Sequence, residues 1–179
     1  MIPHLRPAFV LLALFTLLLG LAYPLALTGV AGLVFPHQAE GSPVHVGDHL
    51  IGSSLIGQAF SRPEHFHPRP SASGYDAMAS GGSNLGPLSQ KLIDRVKADV
   101  TPGVAADAVT TSASGLDPDI SPQNALGQVA RVAKARSLPE ETVRDVVAAQ
   151  TKPRLWGLIG EPRVNVLALN LALDKAMAN

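Results

Sequence analysis

Residues 80–86, SGGSNLG, combine paired glycines, hydroxyls and an asparagine just before a predicted helix start, a pattern that would suit a phosphate group. A Walker-type loop follows its last glycine with Lys and then Ser or Thr, which contact the phosphates and Mg²⁺. In this sequence Gly86 is followed by Pro87 and Leu88, and the glycine spacing also departs from the dinucleotide-binding pattern. Two interpretations stay open: backbone N–H groups that bind an anion near the helix start, or a tight loop in which Asn84 caps the helix.

A polar strip is predicted on the helix that begins after Ser121. At 100° per residue, Asn124, Gln128 and Arg131 share one side of this helix, opposite to the apolar residues. This side is free either to contact a ligand or partner, or simply to face solvent.

The remaining histidines and carboxylates do not form a pattern typical of a catalytic or metal site. His65 and His67 present two imidazoles in an extended segment, but no further fixed ligands accompany them. Asp117 and Asp119 stand in LDPD, which is ordinary turn chemistry. No His and carboxylate are spaced so as to activate a serine. We therefore expect no catalytic residue, no metal site and no tightly bound cofactor.

The composition narrows the function classes. The chain has 179 residues, enough for one domain with a hydrophobic core. Its 14 Lys and Arg residues balance 14 Asp and Glu residues, so net charge favours neither nucleic acid nor an acidic partner. The absence of cysteine excludes disulfides and thiolate metal sites.

Residues 8–35 carry no charged side chain, over more than the roughly 20 positions that a membrane-spanning helix needs. Pro24 predicts that this helix bends or stops after Tyr23. Arg6 precedes the span, whereas the first charges after it are Glu40 and Asp48, which predicts a cytoplasmic N-terminus. The alternative is a cleaved signal peptide.

We therefore predict the α/β class, with a single N-terminal transmembrane helix followed by one mixed α/β extracytoplasmic domain. The predicted segments are a cytoplasmic N-terminus at residues 1–7, the span at 8–35, a tether at 36–48 and the domain at 49–179. Within the domain, residues 49–60 favour a short buried strand and turn, and residues 61–87 favour a long loop because Pro and Gly are frequent. A loop of this length in a compact domain is usually functional or held by a partner.

Helical signals follow the long loop. An amphipathic pattern starting near Leu88 predicts a helix that ends before Pro102. Ser121, followed by Pro, predicts the start of a second helix that runs to about residue 136. Ser137 and Glu140 match a capping box for a third. Residues 163–173 alternate in a way typical of a buried strand, although their second half also fits a helix.

Several segments together resemble the C subunit family of the bacterial Kdp potassium-transporting ATPase. They occur in the family's order and cover most of the chain. Besides the N-terminal span they are GSSLIGQAF (52–60), RPSASGYDAMASGGSNLGP (69–87), TSASGLDPDISPQNALGQVARVAKAR (111–136) and GEPRVNVLALNLALD (160–174).

The resemblance implies a non-catalytic subunit of an inner-membrane pump. In that pump a channel-like A subunit carries K⁺, a P-type B subunit hydrolyses ATP, a small F subunit stabilises the assembly, and C is needed for assembly and activity. We expect this chain to dock on the K⁺-conducting subunit through its long loop, because backbone groups that cannot pack on their own would find partners there. The expected interface residues are Arg69, Pro70, Ser80, Gly81, Gly82 and Asn84.

The resemblance also implies an alternative role as a catalytic chaperone that binds ATP weakly and raises the nucleotide affinity of the B subunit. The corresponding positions in this sequence are Ser112, Ser114 and Gln128. This role conflicts with the predicted topology, because ATP is cytosolic and a domain that follows an N-in single span faces the other side.

Overall fold

A computed structural model of the chain describes residues 4–178. It contains seven helices and five short strands within that range. The helices are α1 Leu5–Val34, α2 Pro36–Ala39, α3 Gln90–Asp99, α4 Ala106–Val109, α5 Pro122–Arg136, α6 Glu140–Gln150 and α7 Val166–Ala178; the strands are β1 Pro43–Val46, β2 His49–Ser53, β3 Asp119–Ile120, β4 Thr151–Lys152 and β5 Arg163–Asn165.

The first helix, α1, is long and apolar enough to cross a membrane. The mean hydropathy of its most apolar 18-residue stretch is 2.4, and none of that stretch is buried within the protein. The predicted apolar helix is thus confirmed, and it continues past Pro24. A π-helical turn at Leu18–Ala22 ends two residues before this proline, and such a wider turn accommodates a residue that lacks the N–H for a regular helical bond. Thr28 Oγ1 donates to the Pro24 carbonyl at 2.9 Å.

The segment after α1 folds into a small hairpin rather than a plain tether. Strands β1 and β2 pair antiparallel, and Ser53 Oγ donates to the carbonyl of Gly41 at 2.7 Å. The predicted strand at residue 49 is confirmed, but Leu50 is 64% exposed, so the expectation of burial is wrong. The chain divides into two compact units between Ser53 and Ser54.

The second unit is built around α5, α6, α7 and a three-stranded antiparallel sheet in the order β3–β5–β4. Its core is mainly aliphatic, with one aromatic side chain, Phe66, contributed by a loop and completely buried. The expected mixed helix and sheet domain is confirmed. The core cluster consists of Phe66, Ile120, Ala125, Val129, Val132, Ala133, Val143, Val147, Val164, Val166, Leu169 and Leu173.

Of the two predicted helix caps, the one at Ser121 is confirmed and the one at Ser137 is wrong. Ser121 caps α5 as predicted, with its Oγ accepting from the N–H of Asn124 at 3.0 Å. The predicted capping box at Ser137 is wrong. Ser137 instead ends α5 in the left-handed region, with φ 56°, and the N–H of Leu138 bonds back to Ala133 O at 2.9 Å, as in a Schellman ending.

The predicted strand at residues 163–173 is confirmed only in its first part. β5 ends at Asn165, whose Oδ1 accepts from the N–H of Ala168 at 3.0 Å, and this bond starts α7. The helical alternative for the second half is therefore the observed one.

Helix α3 forms where the amphipathic pattern predicts it, but none of its residues is buried. It begins at Gln90, with Ser89 at its N-cap and no side-chain cap bond. Asn84 therefore does not cap it. Asn84 instead occupies the left-handed region with φ 51°.

Candidate partner interface

Two loops of the second unit, residues 69–87 and 110–117, bond to each other and are here called the paired loops. The N–H of Ser112 donates to Pro70 O at 2.9 Å, and the N–H of Gly81 donates to Ser114 O at 2.8 Å. Ser80 Oγ also donates to Ser114 O at 3.0 Å. Because these bonds satisfy backbone groups that no helix or strand serves, they fix the loops as one surface.

Side chains within the longer loop hold its turn in place. Ser71 Oγ donates to Gly115 O at 2.7 Å and accepts from the N–H of Tyr75 at 3.0 Å. Tyr75 Oη donates to Arg69 O at 2.7 Å. Burial raises the pKa of Tyr75, so the phenol keeps the proton that this bond requires.

Two glycines allow the close approach of the paired loops. Gly115 has φ +70°, and a Cβ there would lie 2.3 Å from Ser73 Oγ and 2.7 Å from Gly81 O. A Cβ on Gly82 would lie 2.9 Å from Ala113 O. Any side chain at these positions must therefore push the loops apart. Gly81 differs, because a Cβ there meets no atom within 4 Å.

An ion pair closes the base of the paired loops. Arg69 Nη1 lies 3.0 Å from Asp117 Oδ2, with both side chains about three-quarters buried. Both residues line a cavity of about 570 Å³ that also includes Asp107. Burial opposes ionisation of Asp107, but hydrogen bonds from Ser121 N, Ser121 Oγ and Asn124 Nδ2 outweigh it and lower the pKa of this carboxyl.

The outward side of the paired loops is exposed and carries small or polar residues. Met78 projects with 94% of its surface exposed, and Asp76, Ser80 and Asn84 are exposed beside it in the chain. The structure therefore brings five of the predicted interface residues together in the paired loops, four through hydrogen bonds and Gly82 through its close approach to Ala113. Asn84 lies on the exposed part of these loops. Those five are Arg69, Pro70, Ser80, Gly81 and Gly82.

The predicted free polar side of α5 is not free, and that expectation is wrong. The amide of Gln128 accepts from the N–H of His67 at 2.8 Å and donates to its carbonyl at 3.0 Å. Arg131 Nη1 donates to the carbonyls of Pro63 and His65 at 2.6 and 3.0 Å. This side of α5 thus holds residues 63–67 as a strand partner would, by pairing backbone groups.

A second amide clamp lies on α7 and was not predicted. Asn170 Oδ1 accepts from the N–H of Phe66 at 2.8 Å, and Asn170 Nδ2 donates to Phe66 O at 3.1 Å. Both residues are buried, so the amide replaces water for the backbone of Phe66, which alone in the core cluster lies outside helices and strands. The sequence feature that could have indicated this clamp is Asn170, a polar residue at the centre of the apolar run VLALNLAL.

The two histidines beside Phe66 are packed into this clamped segment. Burial, with help from the Arg62 and Arg136 charges, lowers the pKa of His65, and burial likewise lowers the pKa of His67. Both therefore favour the neutral form. Among residues 4–178 no group of three or more potential ligands is placed to hold a metal ion.

The chain matches the family model described as K⁺-transporting ATPase, c chain, over residues 5–175. The chain belongs to this family. Curated relatives called potassium-transporting ATPase KdpC subunit are 60% identical to it in Allorhizobium ampelinum and in Caulobacter vibrioides. The first alignment covers 99% of both chains, and the second covers 97% of this chain and 94% of the relative. A relative of the same name in Methylobacterium nodulans is 58% identical, with 98% of each chain covered.

Membership of the c chain family confirms the resemblance found in the sequence, and the match includes both paired loops. Of the positions expected to contact nucleotide, Ser112 and Ser114 lie together, with their Oγ atoms 3.2 Å apart, whereas Gln128 lies at a separate cavity. Ser112 is buried, with Oγ accepting from the N–H of Gly115 at 3.1 Å, whereas Ser114 is exposed. Gln128 lines a different cavity, of about 210 Å³, with His67 and Arg131.

Proposed function

We propose that the chain is a non-catalytic accessory subunit of a bacterial, ATP-driven K⁺ uptake complex. It is anchored in the inner membrane by α1 and docks through the paired loops on the K⁺-conducting subunit. It thereby supports assembly and activity of the complex, which also contains the P-type ATPase subunit and a small stabilising subunit. Its relatives of nearly equal length carry the name of a subunit of this ATPase.

The observation that carries the docking role is the construction of the paired loops. They contribute little to the core, yet their backbone groups, Ser71, Tyr75 and the Arg69–Asp117 pair hold them in one arrangement. A surface that is already ordered loses little conformational entropy when it binds. An exposed loop surface that is ordered by this many hydrogen bonds is typical of a recognition site.

The test uses Gly81→Val, because Gly81 lies within the paired loops while its Cβ direction is open. We expect the variant chain to fold normally and to co-purify with the other subunits in reduced amount, since the added side chain obstructs the partner. The matched control is Gly127→Val on α5, where a Cβ also meets no atom within 4 Å. An intact complex in normal proportions from Gly81→Val contradicts the docking role.

A companion variant is Asn84→Gly. It removes the exposed amide but keeps a residue that tolerates the φ of 51° found there, which Ala would not. The expected result is weaker co-purification with unchanged thermal stability of the isolated chain.

The proposed topology places residues 1–7 in the cytoplasm and the second unit outside. Its support is the asymmetry of charge, with Arg6 before α1 and Glu40 and Asp48 after it. Glu141→Cys offers a single thiol, since the chain has no cysteine and Glu141 is exposed on α6, outside the proposed docking surface. A membrane-impermeant maleimide should label it in intact cells. Labelling that appears only after lysis contradicts this topology.

Weak ATP binding is the alternative function. The observation in its favour is the cavity at Gln128, where Arg131 supplies a positive charge beside the imidazole of His67. Under this alternative, Gln128→Ala raises the ATP concentration needed for half-maximal pump activity. Gln123→Ala, an exposed change on the same helix, is the control. An unchanged value for the Gln128 variant removes the alternative.

A further inference from the structure

Residues 155–159, LWGLI, form an exposed apolar tip between β4 and β5, here called the tip. Trp156 is 81% exposed and Leu158 is 82% exposed, while Leu155 and Ile159 are more than half exposed. No function argued above uses these side chains. Four large apolar groups side by side on a short loop are unusual on a protein surface that faces only water.

The tip is held in a defined shape. The N–H of Leu155 donates to Ile159 O at 2.9 Å, and the N–H of Ile159 donates back to Leu155 O at 3.0 Å. Gly157 N donates to Arg154 O at 3.0 Å. Trp156 and Gly157 both have positive φ, 52° and 75°, a conformation that a bulky residue such as Trp rarely adopts. The backbone therefore presents the apolar side chains outward without support from the core.

Cationic side chains surround the base of the tip. Arg154 Nη2 lies 2.7 and 2.9 Å from the two carboxylate oxygens of Glu161, which ties the two ends of the tip together. Lys152 and Arg163 on the flanking strands are also exposed. Arg163 Nε in turn lies 2.9 Å from Asp119 Oδ2. Three cations against two carboxylates leave one positive charge in excess at the base of the tip, whereas the whole chain is neutral.

We propose that the tip inserts into the interfacial layer of the lipid bilayer in which α1 is anchored, with Trp156 at the level of the headgroups. Tryptophan is enriched at this level of membranes, because its ring is apolar and its N–H needs a polar partner. Leu155, Leu158 and Ile159 extend toward the acyl chains, and the surrounding cations contact anionic headgroups.

The bilayer is favoured over a protein surface for two reasons. The inference rests on the proposed anchoring by α1, which keeps the second unit within reach of a bilayer from Ser54 onward. The combination of an aromatic ring, aliphatic side chains and the exposed Lys152 beside them also matches the vertical order of a lipid interface, apolar below and anionic above. Either face of the membrane offers this order, so the inference does not depend on the orientation of α1.

The test uses Trp156 as its own reporter, because it is the only tryptophan in the chain. The full-length chain is reconstituted into vesicles of phosphatidylethanolamine and phosphatidylglycerol, and co-flotation with the vesicles checks the anchoring. We expect blue-shifted Trp emission, protection from iodide, and stronger quenching by lipids brominated near the headgroup than by lipids brominated near the chain end. Leu158→Asp should shift the emission back to longer wavelength and abolish the bromine quenching.

The matched control moves the reporter to another exposed site. In the double variant Trp156→Phe, Met78→Trp, we expect free access of iodide and no quenching by brominated lipid. A photo-crosslinking residue in place of Leu158 in the complete complex then identifies the molecule that contacts the tip. We expect lipid adducts.

Three results would overturn the inference. If the chain co-floats but iodide still quenches Trp156, insertion of the tip is contradicted while the anchoring by α1 is not. A chain that does not co-float contradicts the anchoring and, with it, the inference. Crosslinks from residue 158 to another subunit, without lipid adducts, show that a protein covers the tip instead.

Discussion

Replacement of Gly115 by Ala tests how tightly the paired loops are fitted. The new Cβ would lie 2.7 Å from the backbone oxygen of Gly81 and 2.3 Å from Ser73 Oγ. The serine side chain can rotate away, but the carbonyl cannot move without disturbing the bond from Gly81 N to Ser114 O. The substitution therefore forces the loops apart instead of filling a space.

Two contributions set the expected magnitude. A non-glycine residue in the left-handed region costs about 1–2 kcal/mol, and Gly115 has φ +70°. Overpacking a close contact adds about 1–3 kcal/mol. Gly115→Ala should thus lower the free energy of unfolding by about 2–5 kcal/mol.

Gly103→Ala separates these two contributions. Gly103 has a similarly positive φ of +83°, but a Cβ there meets no atom within 4 Å. Only the backbone cost of about 1–2 kcal/mol should remain. The assay is urea unfolding of the full-length chain in mild detergent, followed by circular dichroism, with midpoints compared at equal slope. An equal loss of stability in both variants would refute the close fit of the paired loops.

Two further predictions concern the clamped segment around Phe66. Asn170→Ala leaves the buried N–H and C=O of Phe66 without partners and should cost about 2–5 kcal/mol in the same unfolding assay; a loss well below 1 kcal/mol would show that the amide clamp is dispensable. The lowered pKa values of His65 and His67 imply stability that is complete above pH 6.5 and declines as pH falls toward their folded pKa values, because the unfolded chain takes up protons first. The double replacement by Gln should flatten this decline between about pH 7 and 5. An unchanged slope in the double variant would contradict the assignment.

The features that the sequence predicts well are set by neighbours in the chain. The apolar run of α1 and the Ser121 cap of α5 depend on residues within one or two turns, so their patterns can be recognised directly. The sequence context of Ser137 matches a capping box, whereas the observed left-handed ending comes with the packing of Leu138 against the core, which no local pattern indicates.

The site could be predicted only in part, because its geometry depends on distant segments. The Pro and Gly content of residues 69–87 predicts a loop that needs partners, but nothing local indicates that residues 110–117 supply many of them. For Gln128 the sequence predicts an exposed side chain, whereas a distant segment covers it in the structure. Its exposed-looking position on an amphipathic helix gives no sign that the backbone of His67 covers it, since that contact joins residues 61 positions apart.

The most direct measurement of the docking role is a crosslink from the paired loops in the assembled complex. A photo-crosslinking residue at Met78, which is 94% exposed at the centre of the longer loop, should form adducts mainly with the K⁺-conducting subunit. The same residue at Glu141, exposed on α6, is the control and should give few or none. Strong adducts from Glu141 with none from Met78 would contradict the account.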